Sequence, residues 1–491
     1  MTVIETTGVR EHSPPPKNTR PLRALMLRLH FYAGIFVGPF LLIAALTGFV
    51  YAFAPTLESW VYGSYLRAPV VEQPVAESAQ VQAALDGRDA SALQSVQTAD
   101  PGGTTRVLFD DPDVGSGQSS VFVDPGTGTV LGALETDSGD LPLRAWLSAL
   151  HKNLHLGDVG NLYSELAASW LFVIVLGGLY LWWNKARADR PRGKKARLLT
   201  VDRSLTGRRL TLNWHGAVGA WAALGLLFLS ATGLSWSDYA GANIKTVRAE
   251  MSWNAPALNT SLGGAPAAGG GEHDGHGAAP TADGGPAGDA ASGADPVDVT
   301  AIDGVLHVAR AQGLTGQLSV GIPADVSTAW TVKETAKAGG DSIAVDGYTL
   351  RVVDRVDFAD GPLAAKLTSW GIALHMGTLF GLANQVALAA LAVALITVIA
   401  RGYLMWWRRR PTRASGAAFG AAPRRGALRR QRLPVVAVVA VVALAVGLFV
   451  PLLGLSLAAF LVVDVFLGLV ASARSKKSTQ SKTLATKEIQ S

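Results

Sequence analysis

The sequence predicts an all-α polytopic membrane bundle of about six transmembrane helices, built by internal duplication, with two small extracytoplasmic α+β domains. Of the 491 residues, 49% are hydrophobic and only 16% are charged, whereas about 25% of a soluble domain is charged. Six apolar stretches approach the length of about 20 residues that a membrane helix needs. Short motifs then recur at fixed spacing along the chain, which indicates a duplication.

The six predicted spans run through 31–54, 162–183, 214–236, 381–407, 434–452 and 454–472. The last two meet at Val450-Pro451 and predict a hairpin over 434–472. The first stretch exceeds 20 residues, and the apolar region of a signal peptide is about 7–15 residues long. We therefore interpret it as a retained span.

Loop charges predict the orientation of the spans. The segment 184–212 carries ten Lys or Arg and two Asp, and 408–433 carries nine Arg and no acid. The termini, 1–30 and 473–491, are also basic, whereas 55–160 and 237–370 are acidic. Because basic segments stay in the cytoplasm, we expect a multi-pass protein of the cytoplasmic (inner) membrane with both termini inside. The basic loops then face anionic membrane lipid, and the net charge of +6 does not indicate nucleic-acid binding.

Each acidic outer segment, 55–150 and 237–370, contains a strand pattern around a glycine turn. The phrases at 121–130 and 343–352 alternate apolar and polar residues on both sides of that turn, which is typical of a β-hairpin. Residues 254–298 are rich in Gly, Ala, Pro and Asp and have few large apolar residues, so we expect a disordered linker there.

The duplication selects four of the nine histidines. A shift of 185 residues places His30 on His215, and Thr47-Gly48 on Thr232-Gly233. A shift of 224 places His151 on His375, and the pairs Gly157 and Gly381, Gly178 and Gly402, and Trp182-Trp183 and Trp406-Trp407 also coincide. The order of segments is that of a parallel duplication, as in some transporters.

The predicted depth of these histidines makes two pairs. His30 and His215 begin spans that start inside, so they lie near the inner face. His151 lies 31 residues before Trp182, as His375 does before Trp406. That distance is up to about 46 Å if all helical, which places both histidines at the outer edge of a core about 30 Å thick.

Two facing imidazoles at each depth suit iron in a b-type haem. The chain has no cysteine, which excludes disulfides and iron–sulfur clusters. We therefore predict two haems b, ligated by His30 with His215 and by His151 with His375, and the only predicted metal is the haem iron. His155, one helical turn after His151, is the second choice of ligand.

Other polar residues have less defined roles. Asp464 is expected to lie in the middle of the last span, where it pairs across helices or carries a proton. His273 and His276 lie in the linker, and they are expected to be incidental.

These motifs together resemble the PepSY-associated transmembrane family, which includes iron-regulated membrane proteins and ferric-siderophore reductases. The resemblance covers about residues 20–410. The matching features are His30 with Leu46-Thr47-Gly48, Leu150-His151-Lys152-Asn153-Leu154 with Gly157, Trp214-His215 with Thr232-Gly233, Leu374-His375-Met376-Gly377 with Phe380-Gly381, and the endings Gly178–Trp183 and Gly402–Trp407. The outer segments are similar to divergent PepSY domains, and the long linker and the C-terminal hairpin depart from the pattern.

The resemblance implies a di-haem membrane protein that passes electrons outward to ferric iron, with a ferric siderophore as a candidate partner. No GxGxxG motif follows a predicted strand, so we expect the electrons to come from quinol or from a separate reductase. Two alternatives remain: a non-catalytic protein whose PepSY-like domains regulate a protease or another partner, and a transporter of an iron-related solute. Haem content distinguishes the first interpretation from the other two.

Overall fold

The computed structural model describes residues 21–189, 198–263, 298–336, 339–408 and 433–490. The helices in the described part of the chain are α1 (Pro21–Phe36), α2 (Gly38–Tyr51), α3 (Ala54–Val61), α4 (Gly63–Leu66), α5 (Glu77–Leu85), α6 (Pro142–Asn153), α7 (Gly157–Asp189), α8 (Gly207–Ser235), α9 (Tyr239–Glu250), α10 (Ala301–Ala311), α11 (Leu363–His375), α12 (Leu382–Trp407), α13 (Leu433–Phe449) and α14 (Pro451–Gln490). The strands are β1 (Leu93–Gln97), β2 (Thr105–Asp110), β3 (Gln118–Val123), β4 (Val130–Glu135), β5 (Leu318–Gly321), β6 (Trp330–Glu334), β7 (Ser342–Val345) and β8 (Val352–Val356).

The long helices bear out a polytopic membrane protein. In the described residues, four helices are long and apolar enough to cross a membrane, namely α7, α8, α12 and the Pro451–Val470 part of α14. The pair α1 and α2 makes a fifth if the two are one span with a 58° bend. The remaining predicted span corresponds to α13, a shorter apolar helix of 17 residues, so the count of six stays a prediction.

The helices that carry the inner histidines begin earlier than hydropathy indicated. The first helix starts at Pro21 rather than near residue 31, and α8 starts at Gly207 rather than at 214. His30 and His215 therefore lie about two and a half turns inside their helices, not at their first residues. Arginines in these first turns lower the hydropathy of the sequence, but arginine is a good helix former.

The outer histidines lie on helices separate from the spans that follow them. His151 lies on α6, which ends at Asn153 before α7 begins. His375 is the last residue of α11, which ends before α12 begins. Gly157 and Gly381 lie at these junctions with φ of +56°, a left-handed conformation that glycine adopts without penalty. The two segments of 31 residues are therefore not continuous helices, so the upper limit of about 46 Å is not reached and the depth of these histidines stays a prediction.

All eight strands join in one antiparallel sheet with the order β4-β3-β2-β1-β5-β6-β7-β8. The predicted hairpins are present as β3–β4 and β7–β8, and each has a register irregularity at the equivalent place. The two predicted outer domains are thus not separate units. The first strand of each half pairs with the other, and Val96 of β1 lies opposite Val320 of β5.

One apolar core serves both halves of this sheet. Valines of both halves are fully buried in it together with residues of α5 and α10, such as Val81 and Val305. A four-stranded meander with one short helix covers little apolar area, and the joined sheet supplies the area that each half lacks. This is the physical reason for a single sheet.

The start of the predicted linker belongs to this sheet region. Residues 254–263 are described, and the backbone of Leu262 donates to the carbonyl of Ser327 while Ala329 donates to that of Thr260. The linker prediction therefore began too early. The rest of it, with His273 and His276, lies outside the described residues.

The chain divides into two compact units, one formed by Met1–Pro39, Trp170–Ala223 and Thr397–Ser491, the other by Phe40–Ser169 and Leu224–Ile396. The first contains His30 and His215. The second contains His151, His375 and the whole sheet.

Candidate functional site

The inner pair of histidines comes together in the first unit. His30 extends from α1 and His215 from α8, and their ring centroids are 6.1 Å apart with an angle of 84° between the planes. Both side chains are half-buried. The pairing predicted from the duplication therefore brings two imidazoles within reach of one small centre.

The same nitrogen is engaged on both rings. His30 Nδ1 lies 3.0 Å from the carbonyl oxygen of Ile174, and His215 Nδ1 lies 2.9 Å from that of Val398. A carbonyl oxygen only accepts hydrogen bonds, so Nδ1 carries the proton and donates. Each Nε2 then keeps its lone pair, which is the form of histidine that binds a metal.

A glycine of the next span lies against each inner histidine. A Cβ atom added to Gly178 would be 3.0 Å from Cε1 of His30, and one added to Gly402 would be 3.7 Å from Cε1 of His215. The first is tighter than ordinary contact and the second is ordinary. Both equivalent glycines therefore lie against the histidines that the duplication selects, and at Gly178 the absence of a side chain is what makes room for the ring.

His151, in the second unit, lies against α2. Its Nδ1 is 3.0 Å from Oγ1 of Thr47, whose hydroxyl already donates to the carbonyls of its own helix, at Ile43 and Ala44. Because a hydroxyl has one proton, the threonine oxygen accepts from Nδ1 of the histidine. The ring also stacks on Tyr51, with centroids 6.0 Å apart and an angle of 9°.

His375 has the matching surroundings on α8. Its Nδ1 is 2.6 Å from Oγ1 of Thr232, which donates to the carbonyl oxygen of Phe228. Trp236 meets the ring edge to face, with centroids 5.1 Å apart. Because Nδ1 of His375 donates this hydrogen bond, the lone pair of His375 is on Nε2.

The partners of all four histidines are related by the duplication. The shift of 185 places Thr47 on Thr232 and Tyr51 on Trp236, and the shift of 224 places Ile174 on Val398. Each histidine makes these contacts within its own repeat. A histidine that only caps a helix or meets headgroups does not require a matched partner at Nδ1, so this arrangement favours a shared chemical role.

His155 has different surroundings. Because α6 ends at Asn153, no helical turn aligns His155 with His151, and Leu154 and His155 both have a φ of +56°. The side chain is exposed, with its ring 5.1 Å from that of Trp146. The helical spacing that made it a second choice is absent.

A buried charge cluster lies just beyond Tyr51. Glu58 of α3 is 4% exposed and forms an ion pair with Arg144 of α6, which also lies 3.8 Å from Asp140. Burial raises the pKa of Asp140 to about 6, against the opposing effect of Arg144 and Arg106. The cluster ties α6, the helix that carries His151, to α3, the helix that follows α2 in the chain.

The described residues fit a bis-histidine iron better than a bare metal ion. In the described ranges, no group of three or more His, Asp or Glu side chains forms a metal site. Two imidazoles on opposite sides of one metal have ring centroids about 6 Å apart, from metal–nitrogen bonds of about 2 Å plus the ring dimensions. The inner pair has this separation, and the hydrogen bonds at Nδ1 leave both Nε2 lone pairs available.

Several residues of the site were missed in the sequence. Tyr51 and Trp236 have a signal, an aromatic residue at equivalent positions four after the Thr of each Thr-Gly motif. Ile174 and Val398 have none, because they act through backbone carbonyls. The pairing of His151 with His375 stays a prediction, and His307, on α10, is exposed.

Comparison with known proteins gives one family. The model of the PepSY-associated TM region matches residues 27–409, which include all four histidines and the whole sheet. No curated protein sequence matches the chain.

Proposed function

The chain belongs to the PepSY-associated transmembrane family, and from that membership and its four histidines we propose that it is a di-haem b electron-transfer protein. In this proposal it passes electrons across the cytoplasmic membrane to ferric iron or a ferric siderophore outside. The observation that carries the proposal is that all four histidines have Nδ1 committed to a hydrogen bond, with partners related by the duplication.

Six-coordinate haem iron with two histidine ligands supplies one-electron transfer without an open position for oxygen. The residues present have three tasks in this scheme. His30 and His215 would hold the inner group, and His151 and His375 the outer one. The acceptors at Nδ1 orient each ring and raise the basicity of Nε2. Gly178 allows α7 to approach the ring of His30 more closely than a residue with a Cβ atom could.

The two ends of the electron path are proposed from the organisation of the chain. The donor on the inner side is quinol or a separate reductase, and the acceptor is a ferric chelate that meets the sheet side. The joined sheet of β1–β8 would then lie outside the membrane, near the outer histidines that share its unit.

The two alternative functions, a regulatory protein and a transporter, predict a different result for the purified protein. A regulatory protein would use the sheet to hold a partner, and the end strands β4 and β8 offer the edges at which an extended peptide adds a strand. A transporter would use the duplicated bundle itself. Neither needs haem, so both predict a colourless purified protein.

The first test is an optical spectrum of the purified full-length protein, oxidised and then reduced with dithionite, together with haem per chain. We expect a low-spin b-type spectrum and about two haems per chain, as two bis-histidine sites require. His30→Ala or His215→Ala should remove one haem, and His151→Ala or His375→Ala the other. All four variants should lose reduction of an external ferric chelate, because each interrupts the path.

His307→Ala is the matched control, because this histidine is exposed on α10 and should leave the spectrum unchanged. If His155→Ala empties a site that His151→Ala leaves intact, the ligand assignment is wrong. If none of the four variants changes the spectrum, the di-haem proposal fails and the regulatory function takes its place.

A further inference from the structure

An ion pair joins the C-terminal hairpin to the helix that carries His30. Arg28 of α1 is 8% exposed, and its guanidinium donates to Oδ1 of Asp464 in α14. Both residues belong to the first unit. The carboxylate in the last span therefore has a cationic partner.

The hairpin docks through one stripe of α14. Ser456 accepts a hydrogen bond from Nε1 of Trp170, Phe460 meets Tyr32 with ring centroids 5.3 Å apart, and Asp464 pairs with Arg28. These three residues of α14 follow at intervals of four, which places them on one face of the helix. Other faces expose large apolar side chains, among them Val462, Val465 and Phe466.

The pair and the inner histidines belong to the same unit, and Arg28 shares α1 with His30. Arg28 comes two residues before His30, and residues two apart on a helix do not face each other. The guanidinium therefore acts on the inner site through its electric field rather than through contact. In a low-dielectric interior that field is far stronger than in water, so the balance between Arg28 and Asp464 matters at the site.

We propose that Asp464 is a positioning counter-charge that sets the reduction potential of the haem held by His30 and His215. The proposal rests on the di-haem function above. With both charges present, the pair is nearly neutral toward the iron. With Arg28 alone, the extra positive charge disfavours ferric iron and raises the potential. With Asp464 alone, the extra negative charge favours ferric iron and lowers it.

The hairpin is then part of the inner redox site. It is otherwise a lipid-facing addition to the bundle, and the half-buried carboxylate of Asp464 would be costly in lipid without a role. The Ser456 and Phe460 contacts hold α14 in the register that brings Asp464 to Arg28. The C-terminal hairpin thus adjusts the reduction potential of the inner haem in the proposed reaction.

The test is a potentiometric titration of the purified full-length protein and of Asp464→Asn, Arg28→Gln, Asp464→Glu and the double variant Arg28→Gln/Asp464→Asn. We expect the inner potential to rise in Asp464→Asn and to fall in Arg28→Gln. Each shift should be about tenfold in the reduction equilibrium, which is about 59 mV for one electron. The double variant and Asp464→Glu should stay near the native potential.

Val462→Ala is the control, since this side chain is exposed on another face of α14, carries no charge and makes none of the docking contacts, so it should leave both potentials unmoved. Thermal unfolding of the same variants in detergent gives a second measurement. If the ion pair has only a structural role, both single charge variants should have a lower unfolding temperature, but their reduction potentials should not shift in opposite directions. If Asp464→Asn does not accumulate, Arg28→Gln and the double variant still decide the sign.

The outcomes separate this inference from the proposed function. A native protein without haem removes the proposed function and this inference with it. Two haems in the native protein, with charge variants that shift the potential in the same direction or not at all, overturn the counter-charge role and leave the di-haem function standing.

Discussion

At the residue scale, the hydrogen bond at Nδ1 is what makes each histidine available as a ligand. Imidazole has two nitrogens, and the partner of one decides the role of the other. His30 and His215 use backbone carbonyls, whereas His151 and His375 use threonine hydroxyls. Carbonyl partners survive any substitution, so the threonines are the residues at which this orientation can be removed.

We expect Thr47→Val to weaken haem binding at the outer site and Thr47→Ser to retain it. Valine keeps the shape but leaves Nδ1 of His151 without an acceptor, and loss of such a partner costs about 10–100-fold in metal affinity. Haem per chain and the reduced spectrum measure the effect, and Thr232→Val should act on His375 in the same way. Equal haem content in the valine and serine variants would contradict the role of the hydroxyl.

At the element scale, the two spans that pack against the inner histidines leave different clearances at equivalent glycines. Gly178 and Gly402 occupy equivalent positions on α7 and α12, and each faces its own histidine. Their clearances differ by 0.7 Å, since the added Cβ atoms would lie at 3.0 Å and 3.7 Å from the two Cε1 atoms. The two duplicated helices thus share the same glycine positions but differ in how well each position accommodates a larger side chain.

We predict that Gly178→Ala disturbs the inner site and that Gly402→Ala does not. The first methyl forces His30 or α7 to move, and overpacking of this kind costs about 1–3 kcal/mol. The second fits at ordinary van der Waals distance. Haem retention during thermal unfolding in detergent compares the two variants, and an equal loss in both would show that clearance at these glycines does not matter.

At the scale of the whole molecule, the sheet constrains the topology. Strands β1 and β5 come from segments separated by two spans, α7 and α8, and they pair directly. Paired strands lie on one side of a membrane, so 55–160 and 237–370 share a side. The loop charges also predict that these two segments lie on one side of the membrane, and the strand pairing supports this independently of charge.

Because the chain has no cysteine, single introduced cysteines report the topology without background. Asp100→Cys and Tyr348→Cys lie in exposed positions of the sheet region, and Thr200→Cys lies in the basic loop. In intact cells, we expect a membrane-impermeant maleimide to label the first two and not the third. All three should react after the membrane is permeabilised, and labelling of Thr200→Cys in intact cells would reverse the orientation.

Local and periodic features of this protein could be predicted from its sequence. Hydropathy located the spans, alternation located both hairpins, and the duplication selected His30, His215, His151 and His375. Hydropathy and alternation are patterns of residues close together in the chain, and the duplication supplies an equivalent residue for each position. That is why the family and the candidate ligands could be predicted.

Contacts between distant segments could be identified only in the folded protein. The pairing of β1 with β5 joins two predicted domains because their combined core buries more apolar area, and no local pattern records that gain. The carbonyls of Ile174 and Val398 have no side-chain signature, since any residue supplies a carbonyl. The partner of Asp464 was likewise open in the sequence, because helix packing brought Arg28 to it from 436 residues away.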